Sequence, residues 1–118
     1  MIAADTPLAQ LSERAAEAAG VMKLLGHEQR LLILCRLTQG EMSVGELVEA
    51  CGQSQASVSQ HLARLREGGL VKTRRNGTTI FYALAHQGVA DMIAMLCETF
   101  GPEAPPRGWG ESESESQS

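Results

Sequence analysis

This chain of 118 residues predicts a mainly helical domain carrying a single β-hairpin. Three observations carry that prediction. Apolar residues recur at helical spacing in successive stretches from Leu8 to Phe100. Two of those stretches are short and are joined by a few residues that include a glycine. An Asn-Gly pair, the strongest short-range hairpin signal, separates two runs suited to extended backbone.

The first helix is expected to open at Thr6-Pro7, with Thr6 as cap. Pro7 then takes the first helical position, where its missing N–H costs nothing. Leu8, Leu11, Ala15, Ala18, Ala19, Met22 and Leu25 follow at helical spacing, and the alanines allow a second helix to approach closely. Gly26 interrupts. A second helix from about Glu28 to Leu37 carries Leu31, Leu32, Leu34, Cys35 and Leu37 nearly all round, which predicts a central, buried element. Gln39-Gly40 ends it.

Ser43-Val44-Gly45-Glu46 reads as a capping box, the serine bonding forward and the glutamate reaching back. Val44, Leu47, Val48 and Cys51 form the inner face of the short helix that follows, and Gly52 is placed to end it. Ser54 or a neighbour caps the next helix, whose inner face is Val58, Leu62 and Leu65 and which Gly68-Gly69 stops. The pair has the helix-turn-helix signature. Extended runs from Leu70 to Arg75 and from Thr78 to Leu84, with Asn76-Gly77 as the turn in which both residues take positive φ, then make a wing. A last helix spans about Gln87 to Phe100, with Val89, Met92, Ile93, Leu96 and Phe100 inward. The expected organisation is a disordered N-terminus over 1–6, one winged helix-turn-helix domain over 7–101, and a disordered acidic tail over 102–118, where prolines and Glu-Ser alternation bury nothing.

Composition narrows the function. Apolar residues at 43% and charged residues at 20% are ordinary for a soluble domain. Aromatic content of 3% argues against a base-stacking surface for single strands. No apolar run reaches the roughly 20 residues that span a bilayer, and Met1-Ile2-Ala3-Ala4-Asp5 lacks the features of a secretory signal, so a cytoplasmic location with no membrane partner is expected. There Cys35, Cys51 and Cys97 are expected to be thiols rather than structural disulfides. The net charge of −4 hides a division: residues 101–118 alone contribute −3, while Arg64, Arg66, Lys72, Arg74 and Arg75 crowd one stretch opposed only by Glu67.

A helix that enters the major groove needs an apolar side to hold it and a polar side to read bases. Opposite Val58, Leu62 and Leu65 stand Ser54, Gln55, Ser57, Gln60, His61 and Arg64. Glutamine pairs with adenine, arginine with guanine, and serine with base edges or phosphates. Lys72, Arg74, Arg75 and Asn76 of the wing are expected to meet phosphates or the minor groove. Singly, each of these is an ordinary solvated side chain; together they predict binding to double-stranded DNA. No catalytic constellation, phosphate-cradling glycine loop or cofactor motif is present in the sequence, and none is expected.

The segments Gly26-His27-Glu28-Gln29-Arg30-Leu31-Leu32-Ile33-Leu34-Cys35, Ser43-Val44-Gly45-Glu46-Leu47, Ser57-Val58-Ser59-Gln60-His61-Leu62 and Thr73-Arg74-Arg75-Asn76-Gly77 resemble the ArsR/SmtB family of winged-helix repressors. The likeness covers about residues 10–101 and is nearest the branch of BigR-, SqrR-, YgaV-, HlyU- and NolR-like proteins. It implies a homodimer joined through the first and last helices, an inverted-repeat operator, and repression lifted by an inducer. The family's thiolate metal motif would fall on Val44–Glu49, which holds no cysteine; its other common site would need more partners than Asp91 and His86, so no metal site is expected.

In the sulfide- and redox-responsive branch, the first reactive thiol falls at Cys35. The second follows the aromatic residue that ends the last helix, where this chain has Phe100-Gly101. Cys97 lies four residues earlier, one turn up on a similar face. The resemblance therefore implies a displaced Cys35–Cys97 pair answering reactive sulfur or oxidants. The residues themselves leave packing as the alternative for all three cysteines. Other readings left open are a metal- or metalloid-responsive or inducer-independent repressor, and a winged-helix adaptor for a protein partner.

Overall fold

The computed structural model describes residues 6–101. Six helices and a three-stranded antiparallel sheet follow one another: α1 (Pro7–Glu13), α2 (Ala15–Leu25), α3 (Glu28–Leu37), β1 (Met42–Ser43), α4 (Val44–Cys51), α5 (Gln55–Glu67), β2 (Val71–Asn76), β3 (Thr79–Leu84) and α6 (Gln87–Phe100). The mainly helical class with a hairpin wing is thus what the chain adopts.

Local signals explain most of the boundaries. Thr6 Oγ1 accepts from the Ala9 amide at 3.1 Å, with Pro7 opening α1. Ser43 and Glu46 form the reciprocal capping box, Ser43 Oγ accepting from Glu46 N at 3.2 Å and Glu46 Oε1 from Ser43 N at 2.9 Å. Gly52 closes α4 at φ 67°, a left-handed conformation that costs an L side chain about 1–2 kcal/mol. Ser54 Oγ accepts from Ser57 N at 3.1 Å and starts α5. His27 caps α3 through Nδ1, which accepts from Gln29 N at 3.2 Å.

Three expectations need correction. The leading amphipathic run is two helices, not one. Arg14 leaves helical geometry at φ −116°, ψ 24°, its N–H tightening onto the Leu11 carbonyl at 3.0 Å while its guanidinium turns to Glu17 in the first turn of α2. The hairpin loop lies one residue further on than Asn76-Gly77: Asn76 pairs with Thr79, so Gly77-Thr78 is the two-residue loop. Gly77 alone takes positive φ, at 66°, while Asn76 stays in the strand. That is a Gly-X turn instead of one with two positive φ angles. Finally, Met42 and Ser43 add a short third strand beside Tyr82 and Phe81, giving the order β1-β3-β2. Two residues are too few for a periodicity signal.

The core joins α2 through α6 to the base of the hairpin. Val58, Leu62 and Leu65 of α5, Leu47 of α4, Ile33 and Leu34 of α3 and Ile93 of α6 are fully buried. Each such side chain stabilises the fold by about 1.5–3 kcal/mol relative to exposure. α3 is central but not enclosed: Ile33, Leu34 and Leu37 are buried, whereas Leu32 is 47% exposed and Leu31 and Cys35 are half-buried. Leu8, Leu11, Met22 and Met95 on α1, α2 and α6 are more than half exposed. Among the described residues, no helix is long and apolar enough to cross a membrane.

Candidate nucleic-acid interface and thiol pair

The buried stripe of α5 fixes which of its side chains can face outward. Gln55, Gln60 and Arg64 lie on the exposed side, and their side chains carry no hydrogen bond or ion pair among the described residues. Ser54 is exposed, but its hydroxyl oxygen serves as the helix cap. Ser57 and His61, one turn apart, flank the buried stripe and turn toward α3. Both stay partly exposed, with their polar atoms engaged by α3.

Their partner is Gln29, on the first turn of α3. Ser57 Oγ donates to Gln29 Oε1 at 3.1 Å, and His61 Nε2 meets the same oxygen at 3.1 Å. A carbonyl oxygen only accepts, so the contact selects the tautomer with the proton on Nε2. His61 Nδ1 is buried without a hydrogen-bond partner. The backbone of the same residue takes part as well, Gln53 Nε2 donating to the Gln29 carbonyl at 3.2 Å. Gln29 thus ties α3 to both the turn before α5 and the first turns of α5. His27 stacks obliquely on His61, ring centroids 4.6 Å apart. Burial holds the His61 pKa below the ordinary imidazole value, helped by His27, Arg30 and Arg64.

The wing carries Lys72, Arg74, Arg75 and Asn76, all exposed. Lys72, Arg75 and Asn76 keep their side chains unbonded among the described residues, whereas Arg74 does not. Its guanidinium pairs with Glu41, Nε lying 3.1 Å from each carboxylate oxygen, and its Cζ stands 5.0 Å from the Phe81 ring centroid. The guanidinium holds the Glu41 carboxyl below its usual range. Sequence reading missed both Gln29 and Glu41, because neither contact leaves a local trace: the partners are 28 to 33 residues apart.

Cys35 of α3 and Cys97 of α6 come together, with Sγ atoms 2.8 Å apart. Both are half-buried. Burial pushes the Cys35 thiol up to about 12, with the neighbouring Cys97 adding to the effect. Cys51, on α4, belongs to the packing around the core, and its pKa is also raised by burial. Among the described residues, no group of three or more His, Cys, Asp or Glu side chains gathers in a way that could hold a metal ion.

A short α4, a left-handed turn, an α5 with a polar outer face and a basic hairpin define a winged helix-turn-helix DNA-binding domain. The family model described as a bacterial regulatory protein of the arsR family matches residues 27–73. The biofilm growth-associated repressor of Agrobacterium fabrum is 44% identical over 96 residues, which cover 81% of this chain and 82% of that protein. Reduced HlyU from Vibrio cholerae superposes with a TM-score of 0.73 at 41% identity, covering 78% of this chain and 97% of that one. The homodimeric winged helix-turn-helix DNA-binding domain of Mb0332 from Mycobacterium bovis superposes at 0.67 with 34% identity, covering 80% and 86%. The chain belongs to the ArsR family and is a transcriptional regulator with a DNA-binding helix-turn-helix.

Proposed function

We propose that this protein is a homodimeric repressor that binds an inverted-repeat operator and releases it when Cys35 and Cys97 are oxidised or modified by persulfide or polysulfide. Gln55, Gln60 and Arg64 supply base-edge contacts. Arg75, Lys72, Asn76 and, after leaving Glu41, Arg74 supply phosphate or minor-groove contacts. Leu8 and Leu11 of α1, Met22 of α2 and Met95 of α6 supply the dimer face, in keeping with the homodimeric neighbour. Repression itself is the activity named for the Agrobacterium relative.

The observation that carries the switch is the 2.8 Å approach of Cys35 and Cys97, which joins α3 to α6. α3 also holds the recognition helix through Gln29. Gln29 and Cys35 are six residues apart, about 9 Å along the axis at 1.5 Å per residue. A covalent bond at one end of so short a rod constrains the other. In a dimer joined through α6, a change in the α3–α6 angle alters the separation of the two recognition helices, and two half-sites are no longer met together.

The experiment is fluorescence anisotropy on DNA from upstream of the protein's own gene. Protein reduced, or treated with diamide or polysulfide, is compared, with masses recorded. Tight binding by the reduced protein, lost together with formation of a Cys35–Cys97 crosslink, is expected. Equal affinity in both states would return the cysteines to the core and leave DNA binding standing.

A further inference from the structure

Beside the thiol pair, α3 and α6 leave a cavity of about 340 Å³ walled by Leu31, Leu32, Leu96 and Phe100, with Cys35 and Cys97 as the polar groups in its lining. Its rim is accessible: Leu32 is 47% and Phe100 43% exposed. That volume lies at the small end of the range for small-molecule sites, and an apolar wall with few polar groups is their usual character. A leucine-lined hollow that opens onto a pair of thiols selects reagents by their hydrocarbon part.

We propose that this pocket binds the hydrocarbon tail of an uncharged alkyl hydroperoxide and presents its peroxide group to Cys35 and Cys97. The inference rests on the thiol switch proposed above and names the class of its inducer. Three features favour this occupant. The wall carries no charged side chain to meet an anionic or zwitterionic oxidant. The two sulfurs are in direct contact, so a disulfide closes between them without an inserted atom. Last, burial raises the Cys35 pKa, so little thiolate is present near neutral pH and reagents arriving from bulk water react slowly. Concentration in the pocket offsets that disadvantage.

The chemistry balances without another reactant. One thiol, having lost its proton, attacks a peroxide oxygen; the O–O bond breaks, and the alkoxide leaves as the alcohol after taking up a proton. The sulfenic acid formed is attacked by the second thiol, which expels water and closes the S–S bond. Two thiols lose two electrons and two protons, and the hydroperoxide becomes alcohol plus water.

The test uses the reduced full chain and a series of hydrogen peroxide, ethyl, butyl and hexyl hydroperoxides, with disulfide formation followed by mass and operator release by anisotropy. Rates are expected to rise by about fourfold per methylene until the pocket is full, the factor that corresponds to about 0.8 kcal/mol per buried CH₂. Hydrogen peroxide should be the slowest. Leu32→Gln, at an exposed rim position, should flatten the series, leave the hydrogen peroxide rate unchanged and keep reduced operator binding. A rate independent of tail length, or a steep series that Leu32→Gln leaves intact, would overturn the pocket. Diamide separates the two claims: a diamide-formed disulfide that releases DNA while the series is flat removes only the pocket. One that leaves DNA bound removes only the switch, and the pocket is then judged on the disulfide rates.

Discussion

Replacing Gln29 by alanine removes the one oxygen that both Ser57 Oγ and His61 Nε2 use, each at 3.1 Å, and spares the backbone contact to Gln53. Each net hydrogen bond contributes about 0.5–1.5 kcal/mol, and stranding a buried polar atom costs about 1–3 kcal/mol. Ser57 can turn to water, but His61 already has Nδ1 buried and unbonded, so the loss leaves its ring without a hydrogen-bond partner among the described residues. A destabilisation of about 1–2 kcal/mol follows, seen as a fall in Tm of about 4–16 °C for a domain of this size. Operator affinity should fall about 3- to 10-fold at 25 °C, where the folded fraction is still near one, because the seat of α5 is lost. The pair can be isolated with Gln29→Ala, His61→Ala and the double variant. A coupling of about 0.5–1.5 kcal/mol is expected from thermal melts of the four proteins. Strict additivity would refute the contact, and unchanged operator binding by Gln29→Ala would refute its role in setting the recognition helix.

Stability should also depend on pH through His61. Its pKa is lower in the folded protein than unfolded, chiefly by burial, so the unfolded chain binds the extra proton first. Stability from this group is fully present above the unfolded imidazole range, near pH 6.5, and is lost as pH falls toward the folded value. Melting curves across that window should show the slope, and His61→Gln should remove it; an equal slope in the variant would assign it elsewhere. Glu41→Gln should free Arg74, tighten DNA binding several-fold at low salt and steepen the salt dependence by up to about one counterion, measured by titration at several salt concentrations. No change in slope would mean that Arg74 keeps off the phosphates. Leu62→Ala, at a fully buried position on the inner stripe of α5, should cost about 2–5 kcal/mol in chemical denaturation.

The fold was largely legible in residues that act on their near neighbours. Ser43 with Glu46, Ser54 with Ser57 N, and Gly52 at positive φ are decided within a few positions, and the stripe Val58-Leu62-Leu65 is a periodicity. What escaped was settled by distant partners or by geometry without a residue signature. The break at Arg14 interrupts an apolar pattern that runs through it unchanged. The hairpin register that moves the loop from Asn76-Gly77 to Gly77-Thr78 depends on how the strands pair. At the candidate interface, residue type alone could not distinguish Gln60, which faces out, from His61, which Gln29 draws in. The Cys35–Cys97 approach bridges 62 positions, and only the resemblance to a redox-responsive branch suggested it.

If α3 transmits oxidation, its two ends must be energetically coupled, and Gln29→Ala tests that as well. A tenfold loss of operator affinity on oxidation requires only about 1.4 kcal/mol between the two states. The contacts of Gln29 with Ser57 and His61 are together worth about that much, so displacing Gln29 from α5 accounts for a response of this size without any larger rearrangement. In the alanine variant there is nothing left for the disulfide to displace. Reduced protein should already bind weakly, and oxidation should weaken it by less than about threefold, where wild type loses about tenfold or more. The comparison is made by anisotropy on the same operator, with complete Cys35–Cys97 crosslinking verified by mass. An undiminished response in Gln29→Ala would show that oxidation acts on the dimer through α6 alone, and that the Gln29 contact is only the seat of the recognition helix.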